Sequence, residues 1–311
     1  MSDFESPYCP LCGNRENLPF IKSRDFLYSK EEFSITKCIA CGALYTNPRV
    51  KKESISKYYP FKYSLYLPEA AAKSRFYCFK KTIGAIFGNP NLRILRRLRD
   101  SGAKKVLEIG PGDGTLLTLL QKNAFEVVGI ETDAECVRRL NDSGIKCIHA
   151  DLNEAKALLA DDSFNAVIMH HAFEHIYDPI SALRDISLLL TDNGLLLISL
   201  PDAGSWEARL FGRYWRGLDL PRHIVHYDRG TIRKVVSDAG FGSIRIVPVA
   251  FPSSFVESIG FYLFGGRMPG FLYFMMFYPL KAISWLIVYL AGSGAVEVSA
   301  IKLGKSVSGW R

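Results

Sequence analysis

Short apolar runs alternate with helical stripes over most of this chain. Val106–Ile109, Glu126–Ile130, Lys146–His149, Ala166–His170 and Leu195–Leu200 have the length and content of buried strands. Between them, Thr115–Asn123, Ala134–Ser143, Leu152–Ala160 and Ile180–Leu190 read as helices, the last ending at Asn193-Gly194. Thr231–Ala239, stopped by Gly240, is another helix, and Gly242–Val249 and Ala295–Leu303 are a sixth and a seventh strand. This alternation predicts an α/β fold, a parallel sheet covered by helices on both faces.

Three segments depart from the alternation. Residues 1–48 hold two cysteine knuckles, with Phe20–Tyr28 and Glu32–Thr36 able to pair as a hairpin between them. So short a segment has too little core to stand alone, and a metal cross-link would supply what is missing. Residues 49–104 connect it to the repeating region, first aromatic (Tyr58, Tyr59, Phe61, Tyr63, Tyr66), then basic. Lys73 to Lys105 carries ten Lys or Arg and one acid, Asp100. Within it, Leu92, Leu95 and Leu98 form a helical stripe among arginines. The third segment, 251–294, is almost wholly apolar and interrupts the domain 105–311. Its central run could span a bilayer by length. Pro279 and Lys281 weaken that reading, and a single crossing would put the seventh strand on the wrong side. A lid, or helices lying in a membrane surface, fits better.

Apolar residues make up 48% of the 311, enough for a sizeable core, and the net charge of +8 suits an anionic partner or surface. The first eight residues lack the basic and apolar regions of a signal peptide. The expected location is therefore cytoplasmic, with the inner face of the membrane open to a surface-bound form. In that compartment Cys9-Pro-Leu-Cys12-Gly and Cys38-Ile-Ala-Cys41-Gly, separated by 25 residues, point to metal rather than disulfides. Four thiolates would hold one tetrahedral Zn²⁺ with no open position, a structural ion.

The candidate chemistry starts where the first strand breaks into Gly110-Pro-Gly112-Asp-Gly114 and a helix begins at Thr115. Such a turn lets the backbone approach a nucleotide cofactor, with unpaired amides at the helix start facing it. Three acids decide which cofactor. Glu108 ends the first strand. Glu131 follows Gly110 by 21 residues at the end of the second strand, placed to accept from two ribose hydroxyls. Asp151 ends the third, placed to accept from an adenine amino group. A dinucleotide would set its pyrophosphate over Glu108 and Asp113, which would repel it. A cofactor with a cationic amino-acid end and no phosphate would be welcomed, and S-adenosylmethionine is one.

Val106-Leu-Glu-Ile-Gly-Pro-Gly-Asp-Gly114, Gly129-Ile-Glu131, Ala150-Asp151 and Phe164–His175 together resemble the successive motifs of class I S-adenosylmethionine-dependent methyltransferases, over residues 104–250 and the last strand. The resemblance implies a Rossmann-like seven-stranded sheet whose last strand is antiparallel. It implies that Gly110, Gly112 and Gly114 line the methionine end, that Glu131 holds the ribose, and that Asp151 and Leu152 lie near the adenine. Glu108 and His170 join these as expected cofactor contacts. Pro111 stands where a small residue or cysteine is commoner. The cysteine knuckles with Ala43-Leu-Tyr-Thr-Asn-Pro-Arg49 resemble the zinc-binding module before some bacterial methyltransferases, including those that C-methylate nucleotide-linked deoxysugars.

Methyl transfer is an in-line displacement that needs an aligned and, for a hydroxyl or enolisable carbon, deprotonated acceptor. All six histidines lie after residue 148. His170, His171 and His175 follow the fourth strand and His223 and His226 the fifth, two groups that should converge at the carboxyl edge of the sheet. His223 or His226 is the preferred base. His175 is equally suited to base catalysis and to a structural or cofactor-contacting role. The expected acceptor is a small molecule: a sugar, a glycolipid precursor or another secondary metabolite. The 251–294 segment and the basic helix add membrane-surface association as a reading. The rivals are a ribosomal RNA methyltransferase and a non-catalytic protein that keeps the fold. Against RNA, no Asn-Pro-Pro-Tyr-like motif follows the fourth strand, where His170-His171-Ala-Phe173 stands. Oligomeric state and the acceptor atom are not encoded in these patterns.

Overall fold

The computed structural model describes residues 2–59, 90–161 and 163–304. Residues 60–89, most of the aromatic and basic connector, lie outside the described residues; after them comes α1 (Pro90–Asp100). That helix buries Ile94, Leu95 and Leu98, whereas Leu92, expected on the stripe, is exposed.

The repeating region forms a seven-stranded sheet. Its strands are β6 (Lys105–Ile109), β7 (Glu126–Glu131), β8 (Cys147–His149), β9 (Phe164–His170), β10 (Leu190–Pro201), β12 (Phe241–Val249) and β13 (Ala295–Lys302). Their order is β12-β13-β10-β9-β6-β7-β8, with β6 central to the parallel part and flanked by β7 and β9 in parallel register. The last strand is antiparallel. Val106, Leu107, Glu108 and Ile109 are all buried, as a strand covered on both faces requires. Four helices follow their strands: α2 (Thr115–Lys122), α3 (Ala134–Asp142), α4 (Leu152–Lys156) and α5 (Pro179–Leu189). The Asp133 carboxylate caps α3 by accepting from Cys136 N at 2.9 Å.

Two boundaries differ from the sequence reading. Helix α4 ends at Lys156 rather than Ala160. Asn193-Gly194 does not stop a helix; α5 has already given way to β10 at Leu190. Asn193 takes φ +61° inside β10, and a side chain at Gly194 would meet Thr191 O and Leu190. The Asn-Gly pair thus makes a tight bend within the strand.

The chain clusters into two compact units, one of residues 61–170, 188–196 and 302–311, the other of 1–60, 171–187 and 197–301. In the second, β2 (Asn17–Arg24) and β3 (Glu32–Cys38) form the expected hairpin. β2 stops at Arg24 because the Asp25 carboxylate gathers the N–H groups of Leu27, Tyr28 and Ser29 into a turn. β4 (Leu44–Thr46) lies beside β3, and β11 (Val225–His226) adds the fourth strand by pairing with Tyr45 and Leu44. Two small strands, β1 (Phe4–Glu5) and β5 (Arg49–Val50), pair separately. Phe33, Ile35, Val50 and Tyr58 share a core with Trp215, Leu218 and Leu220. The cysteine-bearing segment is therefore completed by residues 215–226, the stretch that carries two candidate histidines. The same unit contains α6 (Trp206–Phe211), α7 (Arg229–Asp238) and the apolar segment, which folds as α8 (Pro252–Phe264) and α9 (Gly270–Ala291). Among the described residues no helix is long and apolar enough to cross a membrane.

Candidate active site

The glycine turn joins β6 to α2. Gly110, Gly112 and Gly114 all take positive φ, and two need glycine for different reasons. A side chain at Gly114 would run into Leu140, so this position serves packing. A Cβ at Gly112, with φ +54°, would meet nothing within 4 Å, so this position needs glycine for its backbone conformation and faces open space. Glu131 is tied into the turn: its Oε2 accepts from Gly112 N at 3.1 Å, and its Oε1 from Thr132 N at 2.7 Å and Asp133 N at 3.1 Å. Asp151 forms a capping box on α4, accepting from Glu154 N at 2.9 Å while Glu154 Oε2 accepts from Asp151 N at 3.1 Å. Leu152 is buried at the first position of that helix, and His170 ends β9. Glu108 is the unusual group. It is buried, its Oε2 has no hydrogen-bond partner, and burial, aided by the charges of Asp113 and Glu131, pushes its pKa up to about 8.

The four knuckle cysteines converge. Their sulfurs lie within 4.8 Å of one another, with Cys9–Cys41 at 3.6 Å and Cys12–Cys38 at 3.5 Å. A tetrahedral site with Zn–S bonds of about 2.3 Å needs sulfurs about 3.8 Å apart. Gly13 and Gly42, both at positive φ, return their N–H groups to Cys9 O and Cys38 O. Burial raises the Cys38 thiol, but N–H groups of Cys41 and Ala40 aimed at it outweigh this and bring its pKa down to about 7, favouring a thiolate. Cys9, Cys38, Ala43 and Tyr45 form a small buried cluster here, with Leu11 and Cys41 packed against it.

His171 and His175 of the first histidine group meet His223 and His226 within one unit, and His170 falls in the other. The His175 and His223 rings are 4.8 Å apart, and His223 and His226 are 6.4 Å apart. Glu174, fully buried beneath them, lies 3.4 Å from His171 Nδ1 and 3.9 Å from His223 Nε2. His223 Nδ1 sits 2.8 Å from the Gly217 carbonyl, to which it can only donate, leaving Nε2 toward Glu174 and Asp219. His175 Nδ1 is held likewise by Arg222 O at 2.9 Å, with the Tyr59 hydroxyl 3.1 Å away. His226 Nε2 meets Thr46 Oγ1 at 3.2 Å. Burial, then the neighbouring His175, takes the His223 pKa down to about 4, and burial with His223 takes His226 to about 3. Both are neutral imidazoles at physiological pH. Burial opposes ionisation of Glu174, but His171, His175 and His223 outweigh it and hold it below the usual carboxylate range. His171 takes φ +55°, an uncommon conformation for a side chain of its size, fixed by its N–H donating to Ser199 O and by stacking on Phe251. Glu174, His223 and His226 pack with Trp215 and Gly217 around a gap too small to admit a water molecule.

Residues 86–245, half of the chain, match the methyltransferase-domain family. The chain belongs to that family. An uncharacterized methyltransferase of Mycobacterium tuberculosis is 33% identical to it over 101 residues, which cover 31% of this chain and 50% of the relative. A probable S-adenosylmethionine-dependent methyltransferase of the same organism is 25% identical over 147 residues, covering 46% of this chain and 51% of the relative. The ubiquinone biosynthesis O-methyltransferase of Aeromonas salmonicida is 31% identical over 101 residues, covering 31% and 42%. The chain thus spans about half the length of the curated relatives it matches. Among solved structures, a SAM-dependent methyltransferase from Archaeoglobus fulgidus is similar, with a TM-score of 0.47 and 17% identity, covering 74% of this chain and 100% of that one.

The methyltransferase domain takes S-adenosylmethionine as its cofactor, and the groups present fit it. Open space at Gly112, an unpartnered buried carboxylate oxygen at Glu108 and the acids Glu131 and Asp151 following β7 and β8 suit a cationic, phosphate-free ligand. Sequence reasoning missed one conspicuous feature of this chain. Arg222 is 1% exposed and bridges two buried carboxylates, donating to Asp25 Oδ1 at 2.9 Å, Asp25 Oδ2 at 3.2 Å and Asp219 Oδ1 at 2.7 Å, and also to Tyr58 O at 3.1 Å. Burial opposes the charge of Asp219, but Arg216 and Arg222 outweigh it and hold its pKa well below the usual value. The Asp219-Leu-Pro-Arg222 spacing carried a signal for it, an acid and a base three apart beside a histidine; the partner 197 residues away in sequence did not.

Proposed function

We propose that this chain transfers a methyl group from S-adenosylmethionine to a small-molecule acceptor carrying a hydroxyl or an activated carbon, a sugar, glycolipid precursor or related secondary metabolite. The observation that carries the reading is the pairing of the open space at Gly112 with the buried, unpartnered Oε2 of Glu108. When bound, the cofactor supplies an electrophilic methyl group on a sulfonium. Glu108 gives up its proton and answers the positive end. Gly110, Gly112 and Gly114 form the methionine end of the site, and Glu131, Asp151, Leu152 and His170 the nucleoside side.

His223 is the proposed base. Its Nδ1 is committed to Gly217 O, so its tautomer is fixed and Nε2 carries the lone pair. As Nε2 takes the acceptor's proton, the adjacent carboxylates of Glu174 and Asp219 stabilise the imidazolium. His226 and His175 flank it and orient the acceptor. Cys9, Cys12, Cys38 and Cys41 hold a structural Zn²⁺ that fixes β3 and β4, and through β4 the strand that carries His226.

Calorimetry with S-adenosylmethionine tests the cofactor half. Glu108 is protonated below about pH 8 in the folded protein, and a nearby cation lowers that value. Binding near neutral pH therefore releases up to one proton, and affinity rises as pH approaches 8. Glu108→Gln binds without the proton release. Gly112→Trp starts from a Cβ with nothing within 4 Å, at a left-handed strain of about 1–2 kcal/mol, and is expected to abolish binding. Unchanged binding by Gly112→Trp would sink the assignment.

A further inference from the structure

The α8–α9 hairpin offers a surface that the transfer reaction does not use. Helix α9 is 22 residues long, about 33 Å, and none of its described side chains is buried. Lys281 is its one charged residue, and from Ser258 to Val296 the chain has no Asp or Glu. Phe271 and Met275, and two turns on Ile283, Leu286 and Leu290, recur at three- and four-residue steps as exposed apolar positions along the helix. Phe271, Tyr289 and Leu290 are 73%, 83% and 72% exposed. At the hairpin turn, Tyr262, Leu263 and Phe264 are also exposed.

Cations gather at that turn. The Arg24 guanidinium and the Lys30 ammonium lie against Gly265 and Gly266, and Arg267 donates to the Tyr28 hydroxyl at 3.0 Å. Among the described residues none of the three forms an ion pair with a carboxylate. Exposed aromatic and aliphatic side chains beside unneutralised Arg and Lys match the headgroup boundary of an anionic bilayer, where apolar groups enter the acyl region and cations meet phosphates. A second copy laid on the same helix would cover the apolar residues but leave the three cations without counter-charge. We propose that the α8–α9 hairpin docks the protein on an anionic lipid surface, with α9 lying in the headgroup boundary and Arg24, Lys30 and Arg267 on lipid phosphates. This goes beyond the reading of the transfer site and stands whichever acceptor that site takes.

Co-sedimentation of the full chain with vesicles tests it. The wild type is expected to pellet with phosphatidylcholine vesicles that contain phosphatidylglycerol, to bind pure phosphatidylcholine at least tenfold more weakly, and to lose anionic binding as salt rises. Phe271→Ser/Leu290→Ser, at sites whose exposure leaves the fold intact, should weaken binding at least tenfold. Lys30→Ala/Arg267→Ala should weaken it about tenfold and flatten its salt dependence. Failure to pellet with the anionic vesicles overturns the proposal. So does equal, salt-insensitive binding to both vesicle types, or a wild-type dimer that Phe271→Ser/Leu290→Ser converts to monomer without any vesicle binding.

Discussion

Arg222→Met is expected to lower the free energy of unfolding by about 3–5 kcal/mol, the usual cost of leaving a buried charge without its partner. The guanidinium is shared between Asp25 and Asp219, both themselves buried, so its loss leaves Asp25 to its turn N–H groups and Asp219 to Arg216. Methionine fills much of the volume, which separates the charge effect from a cavity effect. Equilibrium denaturation measures the loss, and Asp25→Asn/Asp219→Asn in the Arg222→Met background should return part of it. A loss below about 1 kcal/mol would show that the network is not what joins the Asp25 turn to residues 219–223.

Cys38→Ser is expected to have the second large effect. Apparent binding free energies of structural zinc are about 10–16 kcal/mol, far more than a core of Cys9, Cys38, Ala43 and Tyr45 supplies. Stoichiometric zinc should disappear from the purified protein. Because β4 pairs with Val225 and His226, and Thr46 donates to His223 O at 2.8 Å, hydrogen exchange at residues 223–227 should accelerate as the knuckles open. Methyl transfer should fall while S-adenosylmethionine binding, proposed to use residues 108–170, persists. A wild-type protein without zinc, or a Cys38→Ser protein that keeps it, contradicts the proposed ion.

The parallel sheet was readable because its strands are short apolar runs and its helices carry periodic stripes and caps. Glu131 and Asp151 were placed at strand ends by the same logic. Their local duties, holding Gly112 N and capping α4, were not foreseen, because hydrogen bonds between a carboxylate and nearby backbone leave no distinctive spacing. The convergence of His175 and His223 followed from strand topology alone. The role of the cysteine segment in supporting that convergence did not. It depends on β4 pairing with β11 across about 180 residues of sequence, a non-local contact that neither periodicity nor motif encodes. Leu92 shows the opposite failure: a stripe spaced by threes drifts around a helix of 3.6 residues per turn, and Ile94 took its place in the core.

Incubation of the purified chain with methyl-labelled S-adenosylmethionine and a cell extract, followed by separation of lipid, sugar and RNA fractions, tests the central claim most directly. Label should enter a small-molecule or lipid-linked fraction with the wild type, at most one-hundredth as fast with His223→Gln, and not at all with Gly112→Trp. Label in the RNA fraction, or no transfer by a wild type that binds the cofactor, would contradict the account.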